Sequence, residues 1–383
     1  MEKADRKKVW LVFLVAFSLR VGISTIPPLL PLLQTQLRIS DVAASLLTSI
    51  PVVCMGIFAL FIPFVQQNLG RRKGILTFLL VLSFAISLRG VTDNYVGLVG
   101  TAFAIGIAVA IIGPLLSGYI KSEFPTRAGL LIGVYSLSMG LGASISSGSV
   151  VRLTSYFQGH WNLALAVFGS FSLLGFFFWK SGTKTVREAK QRSRQVSLPL
   201  KNAQAWKVTL FFGIQSGIFY GLTTWISTIA FSRGANMVSA GYMLTVYTLT
   251  QMIFSFVIPV LMDYRGKVKS WAFFCSLIVV IGIFGLIVEG PFWLFICAIF
   301  LIAVGLGGLF PIALLLPLKL THTPEEASAW TGMVQSFGYI IGGCVPIIMG
   351  LVSELFLNQH ASLLFVLLLS MTLIFLTRTL KEA

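Results

Sequence analysis

The sequence predicts an all-α membrane protein of twelve transmembrane helices, arranged as two pseudo-symmetric six-helix bundles. Three observations lead there. Of the 383 residues, 56% are hydrophobic and only 10% charged, with a mean hydropathy of +0.92, whereas a soluble domain carries about 25% charged residues. The apolar residues gather into twelve stretches, each long enough for a helix to cross a bilayer, for which about 17–25 residues suffice. Finally, one long polar segment, Lys180 to Lys207, divides those stretches six and six.

The first stretch, 9–33, holds a full charge, Arg20, near its middle. An arginine at that depth costs at least about 2.5–3.5 kcal/mol on insertion scales and marks a functional position by default. The competing reading is a structural arginine paired with a carboxylate elsewhere in the bundle. The preceding MEKADRKKVW is as basic as the start of a signal peptide, but the apolar run is too long and lacks an A-x-A site, so a retained first helix is expected.

The remaining stretches of the first half are 41–65, 74–92, 95–117, 128–151 and 162–179; those of the second are 207–231, 238–262, 270–288, 292–316, 329–352 and 361–377. Helices satisfy every backbone group internally, as lipid demands. The expected organisation is residues 1–179 as an N-terminal bundle, 180–206 as a basic cytoplasmic linker and 207–383 as a C-terminal bundle. Cys54, Cys275, Cys297 and Cys344 fall in separate apolar runs without a CxxC pair, which reads as buried free thiols.

Loop charge sets the orientation. With the N-terminus inside, 23 of the 28 Lys and Arg lie on the inner side, and only Arg38, Arg152 and Arg233 lie outside; Arg20 and Arg89 sit within spans. That asymmetry places both termini in the cytoplasm, in the cell (plasma or inner) membrane. It also accounts for the net charge of +16 and the pI near 10.0 without any nucleic acid.

The halves repeat. A shift of 196 lays Ala44 on Ala240, Phe58 on Phe254, Ile62-Pro63 on Ile258-Pro259, Gly70 on Gly266, and Arg71 and Lys73 on Lys267 and Lys269. The proline followed at a fixed offset by a basic loop is the informative part of the match. Two parallel six-helix repeats suit a carrier whose substrate sits between them at the midplane.

Several motifs carry a family resemblance. Arg20 is followed by PPLLPLL (27–33) and SLLTSIPVVCMG (45–56); Gly113-Pro114 by IKSEFPTRAG (120–129), Gly133, Tyr135 and Met139; GIQSGIFY (213–220) by Trp225; and TPEEASAWTGMVQSFGY (323–339) opens the eleventh span. On these pieces, which span nearly the whole chain, the sequence resembles the major facilitator superfamily and, within it, the cyanate and 2-nitroimidazole transporters. The resemblance implies the major facilitator fold, alternating access and no cofactor. Two departures stand out: QQNLGRRK (66–73) lacks the acid usual in that loop, whereas DYRGKVK (263–269) keeps Asp263, Arg265 and Gly266, and Ser18-Leu19 replace the usual asparagine before Arg20.

Polar groups at midplane depth are Arg20, Ser24, Tyr135 and Ser138 in the first half, and Gln215, Tyr220, Gln251 and Gln335 in the second, with Tyr339 beside them and Trp225 nearer the outer end. One planar, permanently charged guanidinium among neutral donors and aromatic rings complements a small planar monoanion. Polar residues also pin membrane helices together, which competes with a site role for Tyr135, Gln335, Gln251 and Ser138. Trp225 can equally belong to an interfacial belt. Arg89, near the outer end of the third span, is expected to pair with Asp93 at i,i+4 and snorkel outward. Asp41, Glu123 with Arg127, and Thr323 to Glu326 precede helices, where capping and inner-face ion pairs that open during transport are expected; Asp263 and Arg265, in the second-half loop equivalent to 66–73, are what the resemblance implies for an inner gate latch. The glycines of SMGLGAS and Gly305, Gly307 and Gly308 suit close helix contact.

All twelve acids and the three histidines fall in loops, tails or span ends. No span therefore supplies a proton relay or a base to activate a nucleophile, no metal-ligand cluster is present, and the GxxxxGK[ST] loop of an ATP-driven pump is missing. The expected function is secondary or facilitative transport of a small organic or inorganic anion, with membrane lipid as the other partner and a monomer as the working unit. An exporter of neutral nitroaromatic or drug-like compounds is the alternative.

Overall fold

The computed structural model describes residues 3–124, 128–183, 198–265, 267–288 and 290–379. Fourteen α-helices cover most of them, and no strand occurs among the described residues. The first span is α1 (Lys3–Ser24), a 3-10 turn at Pro27–Leu29, and α2 (Leu30–Leu37). The break follows from Pro27 and Pro28, which lack the N–H that would continue the ladder; Ile26 N bonds back only to Ile23 O, at 3.4 Å.

α3 (Asp41–Phe58) begins at Ser40, whose hydroxyl accepts from Ala43 N. Asp41 was expected as a cap; its carboxylate instead accepts from Gln34 Nε2 at 2.5 Å, across the turn from α2. The expected loop 66–73 is mostly helical, and α4 (Ile62–Leu88) turns at one residue, Gly70, whose φ of 69° and ψ of 167° suit glycine alone. α5 (Tyr95–Glu123), α6 (Ala128–Tyr156), and α7 (Trp161–Val167) with α8 (Gly169–Gly182) complete the first half, the last two sharing the sixth span across a break at Phe168.

The second half is regular. It comprises α9 (Ala203–Ser232), α10 (Met237–Arg265), α11 (Val268–Ile287), α12 (Phe292–Leu320), α13 (Pro324–Phe356) and α14 (Gln359–Thr379). Asn202 caps α9 through Gln204 N and Ala205 N, and Thr323 caps α13 through Glu326 N. Each predicted span thus has its helix. Among the described residues, nine stretches are long and apolar enough to cross a membrane by length and composition; Asp41–Val91 is one of them and holds the second and third spans, while α6 and α9 lie outside the nine.

Buried apolar residues form two clusters, one drawn from Leu11 to Trp179 and the other from Ala205 to Leu376. Within the first, α1 lies along α6 and α4 along α5; within the second, α9 lies along α13 and α11 along α12. The clusters meet where α3 runs against α13 and α6 against α10. Glycines allow the approach: a Cβ on Gly56 would meet the Ser336 carbonyl, one on Gly343 would meet Val53, and one on Gly140 would meet Met252. Gly305 and Gly308 press on Cys275, and Gly307 on the Gln251 carbonyl. Among the cysteines, Cys54 and Cys275 are buried, whereas Cys297 is exposed and Cys344 half-buried.

Candidate functional site

Arg20 lies on the face of α1 turned to the second cluster, and its side chain is partly exposed there. Its Nη2 donates to the Tyr220 hydroxyl at 3.3 Å. The guanidinium carbon lies 5.6 Å from the centre of the Tyr220 ring and 5.9 Å from that of Phe219, so two ring faces stabilise the cation. Tyr339, its ring centre 6.5 Å from that of Tyr220, and Tyr135 of α6 lie within electrostatic range of the same charge. No carboxylate reaches Arg20 among the described residues. Where the two clusters face each other, in the cleft between the halves, one half thus contributes a cation and a tyrosine, and the other two tyrosines and a phenylalanine.

Packing behind these rings fixes them. Phe219 stacks on Tyr247 at 5.8 Å, and Phe212 meets Tyr339 edge-on at 5.2 Å. The Tyr135 hydroxyl faces Gly113, where a Cβ would lie 3.3 Å away. The glycine before Pro114 therefore leaves room for that phenol.

The other candidates divide. Ser24 is buried one turn beyond Arg20. Ser138 is fully buried and donates to Val134 O of its own helix, so its hydroxyl is used locally. Gln215 is buried with Nε2 on Ser216 Oγ at 2.8 Å, while Gln251 and Gln335 are half-buried. Trp225 is buried and donates Nε1 to Pro346 O at 3.3 Å, which makes it a pin between α9 and α13 and not a belt residue at the surface.

The expected Arg89–Asp93 pair is not formed. Arg89 is buried, with Nη1 donating to Gly22 O at 2.7 Å and Nε to Thr101 Oγ1 at 3.1 Å, while Asp93 accepts from Asn162. The reason is local: α4 gives way to a 3-10 turn at Arg89–Val91 and then to extended backbone at Thr92, so i,i+4 spacing no longer puts the two side chains on one helix face. Glu123 pairs with Lys8 at 2.5 Å, joining α1 to α5 within the first half. That pair does not span the halves, so it cannot open as they separate. Arg127 and the side chains of Asp263 and Arg265 lie outside the described residues.

Several residues at this cluster and between the halves were not among the predicted ones. Phe219 is the neighbour of Tyr220 in GIQSGIFY, and an aromatic pair at midplane depth was the available signal. Across the halves, Thr48 Oγ1 lies 2.8 Å from Thr224 Oγ1, Ser144 Oγ 3.0 Å from Thr248 Oγ1, and Ser147 Oγ 3.2 Å from Thr245 Oγ1. Arg152 sits 5.3 Å over the Tyr242 ring, and Glu354 of α13 accepts from Val42 N at 2.7 Å, at the start of α3. A carboxylate at a helix N-terminus is favoured by the helix dipole. All these bonds lie on one side of Arg20, toward the end where α1 finishes and α3 begins. Nothing in the sequence pairs such residues, because each belongs to a different half.

The family model for the Major Facilitator Superfamily matches residues 12–343. The chain belongs to that superfamily. It is 29% identical over 357 residues to the uncharacterized transporter YycB of Bacillus subtilis (strain 168), covering 91% of this chain and 89% of that protein. It is 28% identical to the 2-nitroimidazole transporter of Escherichia coli (strain K12), covering 94% and 91%, and 27% identical to the cyanate transport protein CynX of the same organism, covering 87% and 86%. A bacterial homolog of the human lysosomal transporter Spinster superposes with a TM-score of 0.82 at 13% identity, covering 99% of this chain and 97% of that one. The fold is therefore the major facilitator fold, and the protein is a multi-pass membrane transporter of that superfamily, not an enzyme.

Proposed function

We propose that this transporter carries a small planar monoanion, cyanate-like or carboxylate-like, by alternating access between its halves, with Arg20 as the anchor. The observation that carries the reading is the Arg20 guanidinium facing the second half, ringed by Phe219, Tyr220, Tyr135 and Tyr339, without a carboxylate among the described residues to neutralise it. Of a guanidinium's five N–H donors, one is engaged by Tyr220, and the rest include a fork suited to two anion oxygens. Similarity to the cyanate transport protein CynX supports the same class of cargo.

The halves are residues 1–179 and 207–383, joined by 180–206, with both termini cytoplasmic as the loop charges imply. On that orientation the Thr48–Thr224, Ser144–Thr248, Ser147–Thr245 and Glu354–Val42 bonds close the outer end, and the transport cycle breaks them to admit cargo from outside.

A second reading has its own support. The ring faces of Phe219, Tyr220 and Tyr339 suit a flat neutral nitroaromatic, and the 2-nitroimidazole transporter is a relative. Proteoliposome uptake of [14C]cyanate and of 2-nitroimidazole, each with the native protein and Arg20→Gln, separates the two. Saturable cyanate uptake abolished by Arg20→Gln supports the anion reading. Uptake of 2-nitroimidazole alone, unaffected by Arg20→Gln, replaces it with the second.

A further inference from the structure

α1 stops carrying its own hydrogen bonds just past Arg20. In an uninterrupted helix the Gly22 carbonyl would accept from Ile26 N; Ile26 N instead turns back to Ile23 O, because Pro27 and Pro28 force the 3-10 turn. That orphaned carbonyl, inside the first cluster, receives Arg89 Nη1 at 2.7 Å. A carbonyl left open at a helix C-terminus, where the dipole is negative, is a natural seat for a cation. Arg89 is in turn held by Thr101 of α5 through Nε at 3.1 Å, and it is 1% exposed, out of contact with the cleft. On its other flank Gly22 presses on α4, where a Cβ would lie 2.9 Å from Ile86 Cδ1.

Residues 20 and 22 are about 200° apart around a helix. With Gly22 turned toward α4 and α5, Arg20 is turned the opposite way, toward Tyr220. The roll of α1 at this level is therefore set by what grips Gly22. We propose that Arg89 is a positioning residue for Arg20: it clamps the broken end of α1 from behind and so aims the anchoring guanidinium into the cleft. This rests on Arg20 being the cargo anchor, although the clamp itself is open to a test that needs no cargo. The motif is a buried arginine on a carbonyl that a Pro-Pro break sets free.

The test uses the full chain with Cys54, Cys275, Cys297 and Cys344 replaced by alanine or serine and Arg20→Cys introduced, so that the reaction rate of one thiol with a neutral methanethiosulfonate reports how position 20 faces the cleft. Arg89→Met is expected to slow that reaction about tenfold in protein that remains monodisperse, as position 20 turns away from the second half. Arg89→Lys, which can still reach the Gly22 carbonyl with a cation, is expected to restore the rate to within about threefold. Thr101→Val, which frees Arg89 from one holder, is expected to fall between and serves if Arg89→Met does not fold. In the Arg20 protein the same changes are expected to raise the half-saturation for [14C]cyanate by about tenfold and to leave the maximal rate within about twofold, since orientation of a binding group is lost and the rocking is not. An unchanged thiol reaction rate in folded Arg89→Met, or in Thr101→Val where the former is lost, overturns the proposal. Altered thiol reactivity in a protein whose native form takes up no cyanate leaves the clamp standing and removes the anion reading; cyanate uptake with unaltered thiol reactivity does the reverse.

Discussion

Replacing Arg20 by glutamine removes the charge while keeping a planar polar group of similar reach. The guanidinium is partly exposed to the cleft and spends one donor on Tyr220, so its bond to an anion is neither fully desolvated nor fully screened. Truncating one partner of a buried charge pair costs about 2–5 kcal/mol. That partial exposure argues for the lower part of that range, about 2–3 kcal/mol, or a dissociation constant raised about 30- to 150-fold. Anion at 100 times the native constant stabilises the folded protein by about 2.7 kcal/mol, whereas after a 100-fold loss the same concentration contributes only about 0.4 kcal/mol. A thermal-shift titration with cyanate should thus lose most of its shift in Arg20→Gln. The ligand-free variant should melt no lower than the native protein, because a cation with no neutralising acid among the described residues has been removed. Retention of anion affinity within about threefold would refute the reasoning, as would a ligand-free variant too unstable to purify.

Three further outcomes are expected. Tyr220→Phe keeps the ring under Arg20 but removes the 3.3 Å bond, so anion binding should weaken only about 2- to 10-fold; a loss as large as that of Arg20→Gln in the same titration would make Tyr220 the anchor. Glu354→Gln removes the charge on the start of α3 and should shift the balance toward an open outer end by about fivefold, for about 1 kcal/mol of dipole interaction lost; spin labels on the exposed Gln36 and Asn358 would show a grown long-distance population in double electron–electron resonance, and an unchanged distribution would remove Glu354 from the gate. Lys8→Gln breaks a pair whose side chains are 35% and 33% exposed and should move neither uptake nor, by more than about 1 kcal/mol, stability; a lost transport rate would restore the pair to gating.

The spans were legible because a bilayer leaves few alternatives to a long apolar helix. Arg20 was legible for the same reason, since a charge at that depth stands out against its surroundings. Its partners were read in part: Tyr220 and Tyr135 by depth, but Phe219 was passed over, because its place beside Tyr220 was the one signal it gave and an apolar aromatic in an apolar run otherwise looks like packing. Arg89 was misread because spacing to Asp93 assumes a continuous helix, and α4 ends one residue before it. The carbonyl that Arg89 serves is created by a proline break in another helix. By its depth Trp225 read equally as a site residue and as a belt residue, but α9 is buried along nearly its whole length against α13 and its neighbours, which removes the belt. The contacts between the halves near the start of α3 were illegible in principle. They join small hydroxyl residues and one glutamate across segments of the chain as much as 312 residues apart, and each of those residues has a local role that explains it equally well alone.

The most direct test observes the guanidinium itself. In arginine-15N-labelled protein reconstituted into lipid, the Arg20 side-chain resonances, assigned by their loss in Arg20→Gln, should move on addition of cyanate as its nitrogens bond to the anion, while the Arg89 resonances should stay in place. Resonances of Arg20 that remain unmoved under cyanate concentrations that saturate uptake would contradict the account.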